Sequence, residues 1–148
     1  MIRVQAEPFD AGAEIEALTH GRTDVGAVVS FQGIVRAEEG GERLTALTLE
    51  HYPGMTEREL ERIEAEARAR WPLQASLIVH RYGRMTPGEP IVLVVTVSAH
   101  RQAAFDAAAF LMDWLKTQAP FWKLAETSAG AAWVEAKASD DAAAARWQ

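Results

Sequence analysis

The chain has 148 residues, a formal net charge of −6 and no cysteine, with 49% hydrophobic and 24% charged residues. Such a composition belongs to a folded globular domain long enough to bury a core, and it excludes disulfides, thiolate metal sites and a cysteine nucleophile. The acidic balance repels nucleic acid and anionic membranes, so any anionic ligand must be held by a local basic cluster.

The opening Met1-Ile-Arg-Val-Gln-Ala-Glu7 places charge where a secretory signal needs an apolar run. No apolar stretch approaches the length of a membrane span, so a single cytoplasmic domain over 1–148 is expected. Residues 2–6 alternate weakly and predict a short strand, and Asp10 caps a helix to Leu18. Ala27 to Phe31 is a β-rich run, and Gly33 before Ile34-Val35-Arg36 predicts a bulge or a close backbone approach. Ala-Glu-Glu-Gly-Gly-Glu at 37–42 predicts a flexible acidic loop, which should swing clear of any neighbouring anion site or order only with substrate.

Residues 44–51 predict a strand, turned by Pro53-Gly54. Thr56 and Glu59 have the spacing of a capping box, opening a helix with Leu60, Ile63 and Ala67 on one face and ending at Trp71-Pro72. Strands follow at 76–82 and 91–99 around a turn at 86–89. The second has so little polar alternation that both its faces should be covered. A long helix runs from about 101 to 118, stopped before Pro120. No element is assigned between Pro120 and Ala131; a short strand at 131–136 and a helix at 140–147 complete the chain. The pattern predicts an α+β fold with mostly antiparallel pairing.

Several devices are absent from the sequence. The four histidines show no His-x-x-x-His pair, which argues against zinc, and there is no Gly-x-Ser-x-Gly elbow, Walker A loop or Gly-x-Gly-x-x-Gly. Glu50-His51 is a conceivable acid–base or ligand pair, more plainly read as structural at a strand end. What remains is a basic set: Arg36, His100, Arg101, Lys116 and Lys123. His100 and Arg101 stand at a strand end and a helix opening, where free backbone N–H groups and a guanidinium converge on a phosphate. Lys116 shares a helical face with Met112, and beside an apolar wall its ammonium is suited to acid–base work. Each also has a plainer reading. The lysines fit solvated cations near a helix C-terminus, Arg101 an inter-helix salt bridge, and Arg36 an edge-strand gatekeeper.

Arg101 and Lys116 lie about 22 Å apart along one helix. If both serve one ligand, an isologous dimer would build each pocket from His100 and Arg101 of one subunit and Lys116 of the other.

Five blocks then carry a resemblance: Phe31-Gln-Gly-Ile-Val-Arg36, Leu47-Thr-Leu-Glu-His-Tyr-Pro-Gly-Met55, Arg70-Trp-Pro72, Ser98-Ala-His-Arg101 and Leu115-Lys-Thr-Gln-Ala-Pro-Phe-Trp-Lys123. With Trp133-Val-Glu-Ala near the end, they resemble the large, catalytic subunit of molybdopterin synthase over nearly the whole chain. The resemblance implies an α/β hammerhead fold with an added antiparallel sheet. It implies a central homodimer in which each subunit binds a small ubiquitin-like subunit, a heterotetramer overall. The small subunit's C-terminal Gly-Gly thiocarboxylate would enter the pocket and give two sulfurs, in turn, to cyclic pyranopterin monophosphate. No metal or other cofactor is implied at this step, since molybdenum enters later.

By the same resemblance, Lys116 is the acid–base residue nearest the thiocarboxylate, with Lys123 in support. His100 and Arg101 hold the terminal phosphate, and Arg36 holds the pterin or phosphate. The Ile34-Val35 backbone and the segment Lys123, Leu124, Ala125 line the site, and Phe31 and Met112 supply apolar walls. Lys137 stands where the family often has arginine, keeping the charge and losing the bidentate fork; a contribution from the second subunit is conceivable there. Two rival readings are a non-catalytic module that binds a ubiquitin-like tail, and a phosphometabolite hydrolase using Glu50 and His51.

Overall fold

A computed structural model describes residues 1–134 and 138–148. In chain order the elements are β1 (Ile2–Gln5), α1 (Ala11–Thr19), β2 (Ala27–Ile34), β3 (Glu38–Glu39), β4 (Glu42–His51), α2 (Met55–Arg70), β5 (Leu73–Arg81), β6 (Gly83–Met85), β7 (Pro90–Ser98), α3 (Arg101–Thr117), β8 (Phe121–Thr127), β9 (Gly130–Val134) and α4 (Ala138–Ala145). They make an α+β fold of two sheets. One has the order β1-β5-β7-β2; the other runs β3-β4-β8-β9, with β6 pairing β4. All pairings are antiparallel except β1 with β5.

The apolar run of β7 is covered on both faces, as its sequence predicts. Val92 and Val94 pack with Ile78 of β5 against Leu60 and Ile63 of α2 and Phe110, Leu111 and Trp114 of α3. Leu93, Val95 and Val97 face the other way, against Phe9, Ile15 and Leu18 in and before α1. A separate core of Val35, Leu44, Leu47, Leu49, Met85 and Ala125 fills the second sheet.

Local chemistry departs from expectation in three places. The capping residue of α2 is Gly54 (φ +87°), and Glu57, not Glu59, reaches back to its N–H at 2.5 Å. Thr56 lies inside the first turn, fully buried, where its hydroxyl donates to the Tyr52 carbonyl (2.7 Å) and sits 3.0 Å from His51 Nδ1. The acidic segment is no loose loop: Glu38 pairs with Arg43 and Glu39 with Glu42. Gly40 and Gly41 both have positive φ (+57° and +83°), the requirement of a tight two-residue hairpin turn. Finally, 121–127 is a strand, held between β4 and β9.

α4 packs on α3, and Trp147 beyond it is gripped by its neighbours. Its indole donates to Asp113 Oδ2 (2.6 Å), its carbonyl accepts from Arg70 (2.8 Å), and its ring meets Trp71 and Phe110 edge-on.

Candidate functional site: a basic cleft between the two sheets

Three elements converge on a cleft of about 320 Å³. β2 supplies Phe31 and Ile34 and leads to Arg36; the last two turns of α3 supply Met112, Leu115 and Lys116; β8 supplies Phe121, Trp122 and Lys123. Each is there for a local reason. At Gly33 the pairing of β2 with β7 slips register, and a Cβ there would lie 2.7 Å from Val92 Cγ1. That bulge swings Ile34 and Arg36 toward the cleft. α3 ends when Gln118 N–H closes on the Trp114 carbonyl, and Pro120 then turns the chain into β8. Lys116 and Lys123 therefore face each other across a tight corner.

The cleft is basic with an acidic rim. Arg36, Lys116 and Lys123 line it together with Glu39 and Asp140. Glu39 lies 3.9 Å from Arg36, so the acidic hairpin forms part of the wall instead of standing clear. Burial, then the charge of the adjacent Lys116, pushes the Lys123 pKa down to about 8, against an opposing pull from Glu39 and Asp140. This lysine can exchange a proton near neutral pH. Beside it, His80 lies stacked on Phe121.

Other residues singled out in the sequence fall elsewhere. Val35 is buried in the second core, its N–H and carbonyl bonded to the 88–89 turn. Leu124 alternates to the face opposite Lys123, and Ala125 packs in that core beside a neighbouring groove. His100 and Arg101 are exposed at the opposite end of α3 and do not reach this cleft. Lys137 lies outside the described residues. Glu50 and His51 point to opposite faces of β4, and His51 is packed between Tyr82 and Phe121 with its Nδ1 at Thr56. That placement supplies no hydrolytic pair. No motif in the sequence marks Glu39, Asp140 or His80 as cleft residues; His80 reads there only as a partly buried, satisfied strand histidine. Among the described residues no group of three or more His, Asp or Glu side chains could hold a metal ion, and no helix is long and apolar enough to cross a membrane.

A family profile described as MoaE protein matches residues 4–118. The chain belongs to the MoaE family. Among its relatives, the molybdopterin synthase catalytic subunit of Mesorhizobium japonicum is 60% identical, over 99% of this chain and 92% of that one. The solved structure of a molybdopterin biosynthesis MoaE protein from Burkholderia ambifaria superposes with a TM-score of 0.84 at 50% identity, covering 99% and 97% of the two chains. A more distant neighbour shares the fold at 19% identity, with a TM-score of 0.74 and 90% of each chain covered. It comes from a complex of subunits 1 and 2 of molybdopterin-converting factor from Helicobacter pylori. The MoaE fold thus brings the Phe31–Arg36 and Leu115–Lys123 sequence blocks to one cleft.

Proposed function

We propose that this chain is the catalytic, sulfur-transferring subunit of a molybdopterin synthase, an enzyme of molybdenum cofactor biosynthesis. The observation that carries the reading is the facing pair Lys116 and Lys123 in a cleft with apolar walls. A thiocarboxylate tail is anionic, and its reaction needs a cation to hold it, a group that exchanges protons, and little competing water. The pair answers the first two needs, and the Phe31, Met112 and Leu115 side answers the third. In each of two rounds the carrier's acyl–sulfur bond breaks as a carbon–sulfur bond replaces a carbon–oxygen bond on the side chain of cyclic pyranopterin monophosphate, one displaced oxygen leaving as water and the other staying on the phosphate as its cyclic ester opens. Water supplies the oxygen with which the tail leaves as a carboxylate.

In this reading Lys116 acts nearest the thiocarboxylate, Lys123 shares the proton traffic, and Arg36 meets the pterin or its phosphate. The sulfur donor is a small ubiquitin-like partner subunit ending in Gly-Gly, in keeping with relatives named catalytic subunits. His100 and Arg101 serve the phosphate from a second copy of the chain, which makes the assembly a heterotetramer around an isologous dimer. Val28, Phe31 and Ile34 on the outer strand β2, and Phe105 on α3, are exposed apolar side chains suited to such a contact. The whole chain works as one domain, in the cytoplasm.

The test is a single-turnover reaction of the purified chain with thiocarboxylated carrier and cyclic pyranopterin monophosphate, followed by mass spectrometry. A gain of two sulfurs is expected. Lys116→Ala should lower the rate at least about 100-fold while leaving carrier binding and thermal midpoint unchanged. Tight carrier binding with an unchanged pterin would make the chain a docking module instead.

A further inference from the structure

Glu39 is a carboxylate lining a cleft whose other charged groups, in the sulfur-transfer reading, hold anions. The β3–β4 hairpin fixes its place. Glu39 pairs with Glu42 across Gly40 and Gly41, while Glu38 pairs with Arg43 and, by the alternation of a strand, belongs to the other face. The Glu39 side chain is 27% exposed, against 70% for Arg36, so this carboxylate keeps fewer waters than an open surface group. Its Oε2 stands 3.9 Å from Arg36 Nη2, too far for a hydrogen bond. Both groups therefore have bonding capacity left for a third party.

A phosphate or a thiocarboxylate gains nothing from that carboxylate and is repelled by it. A pterin does gain. One edge of its ring carries an N–H and an exocyclic amino group side by side, with a carbonyl oxygen next to them. A carboxylate accepts from two such adjacent donors, as it does from the forked N–H groups of arginine, and a guanidinium beside it donates to the carbonyl. Glu39 and Arg36 present those two complements next to each other. Phe31, Ile34 and Val134 on the same cleft offer apolar surface to a flat ring.

We propose that Glu39 selects the pterin ring, its carboxylate taking the ring N–H and the exocyclic amino group while Arg36 takes the neighbouring carbonyl. The inference rests on the sulfur-transfer reading and divides the labour of the cleft: the carboxylate reads the ring, and the lysines serve the anionic tail.

Replacing the exocyclic amino group by an oxo group sets oxygen against oxygen at Glu39. In equilibrium dialysis the parent should therefore bind pterin-6-carboxylate about tenfold or more tighter than lumazine-6-carboxylate. The two ligands share their shape and their carboxylate, so a change at the anion-holding lysines acts on both alike. Glu39→Gln offers one acceptor and one donor, the pattern that suits the lumazine edge, and should abolish or reverse the preference. Glu38→Gln removes the same charge from the same hairpin and should leave the preference intact. A parent that shows no preference, or binds neither ligand, would overturn the proposal. So would an unmoved preference in Glu39→Gln, or equal shifts in the two variants. Dialysis needs neither carrier nor turnover. A parent that keeps the preference but transfers no sulfur speaks against the sulfur-transfer reading alone. A parent that transfers sulfur while Glu39→Gln keeps the preference speaks against the role of Glu39 alone.

Discussion

A half-buried lysine carries a desolvation cost, and Lys123 makes that cost measurable. The unfolded chain keeps this proton up to the ordinary lysine value of 10.5, whereas the folded chain gives it up at about 8. Between those values the unfolded state binds more protons, so this residue's contribution to stability rises with pH across that window. Below pH 8 the half-buried cation costs on the order of 1–3 kcal/mol. Lys123→Met should therefore be more stable than the parent at pH 7 by about that amount, with the difference shrinking toward pH 10, and should have lost turnover. Urea denaturation at the two pH values checks this; parallel shifts at both would show that desolvation is not what holds the value down.

At the scale of the elements, the cleft depends on irregularities as much as on regular structure. The slip between Gly33 and Ile34 exists because the backbone of β2 comes too close to Val92 for a Cβ. Gly33→Ala should cost roughly 1–3 kcal/mol by overpacking, and it should weaken pterin binding by displacing Ile34 and Arg36. A denaturation midpoint equal to the parent's would mean that the strand opens without strain. This bulge was legible in the sequence, because a glycine inside a β-rich run marks a bend or a close backbone approach. The buried faces of α2 and β7 were legible too, from period and composition. What was not legible came from pairing over distance. Phe121-Trp-Lys-Leu-Ala-Glu-Thr127 has few β-branched residues, and β4 and β9 impose its strand. The Thr56–Glu59 spacing misled because Gly54 takes the cap and Thr56 has a better use at the Tyr52 carbonyl. Glu39 and Asp140 reach the cleft from segments distant in sequence, and no local pattern marks them.

At the scale of the whole molecule, one chain holds the two halves of its basic set apart. Arg36, Lys116 and Lys123 meet in the cleft, while His100 and Arg101 stand exposed at the far end of α3. A mixture of Lys116→Ala and Arg101→Ala proteins, each impaired alone, should regain part of the lost turnover through hybrid dimers, in which one pocket of two is intact. Mixing after reversible dissociation, followed by the single-turnover assay, reads this directly. No recovery, with hybrid dimers shown to form by mass spectrometry, would mean that both residues act within one copy.

The pairing of the sheets also dictates when a cleft can exist during synthesis. β1 finds its partner in β5, with Ile2 opposite Ile78, and β4 waits for β8, with Leu49 opposite Lys123. Each strand must wait for more than seventy further residues, so contacts that local folding makes early are few. On the ribosome, a chain that has emerged only as far as α3 carries Arg36 and Lys116 with no opposite wall. Only when β8 has left the exit tunnel and closed against β4 do the two lysines face each other. A chain that ends before β8 thus has no cleft in which Lys116 and Lys123 stand together.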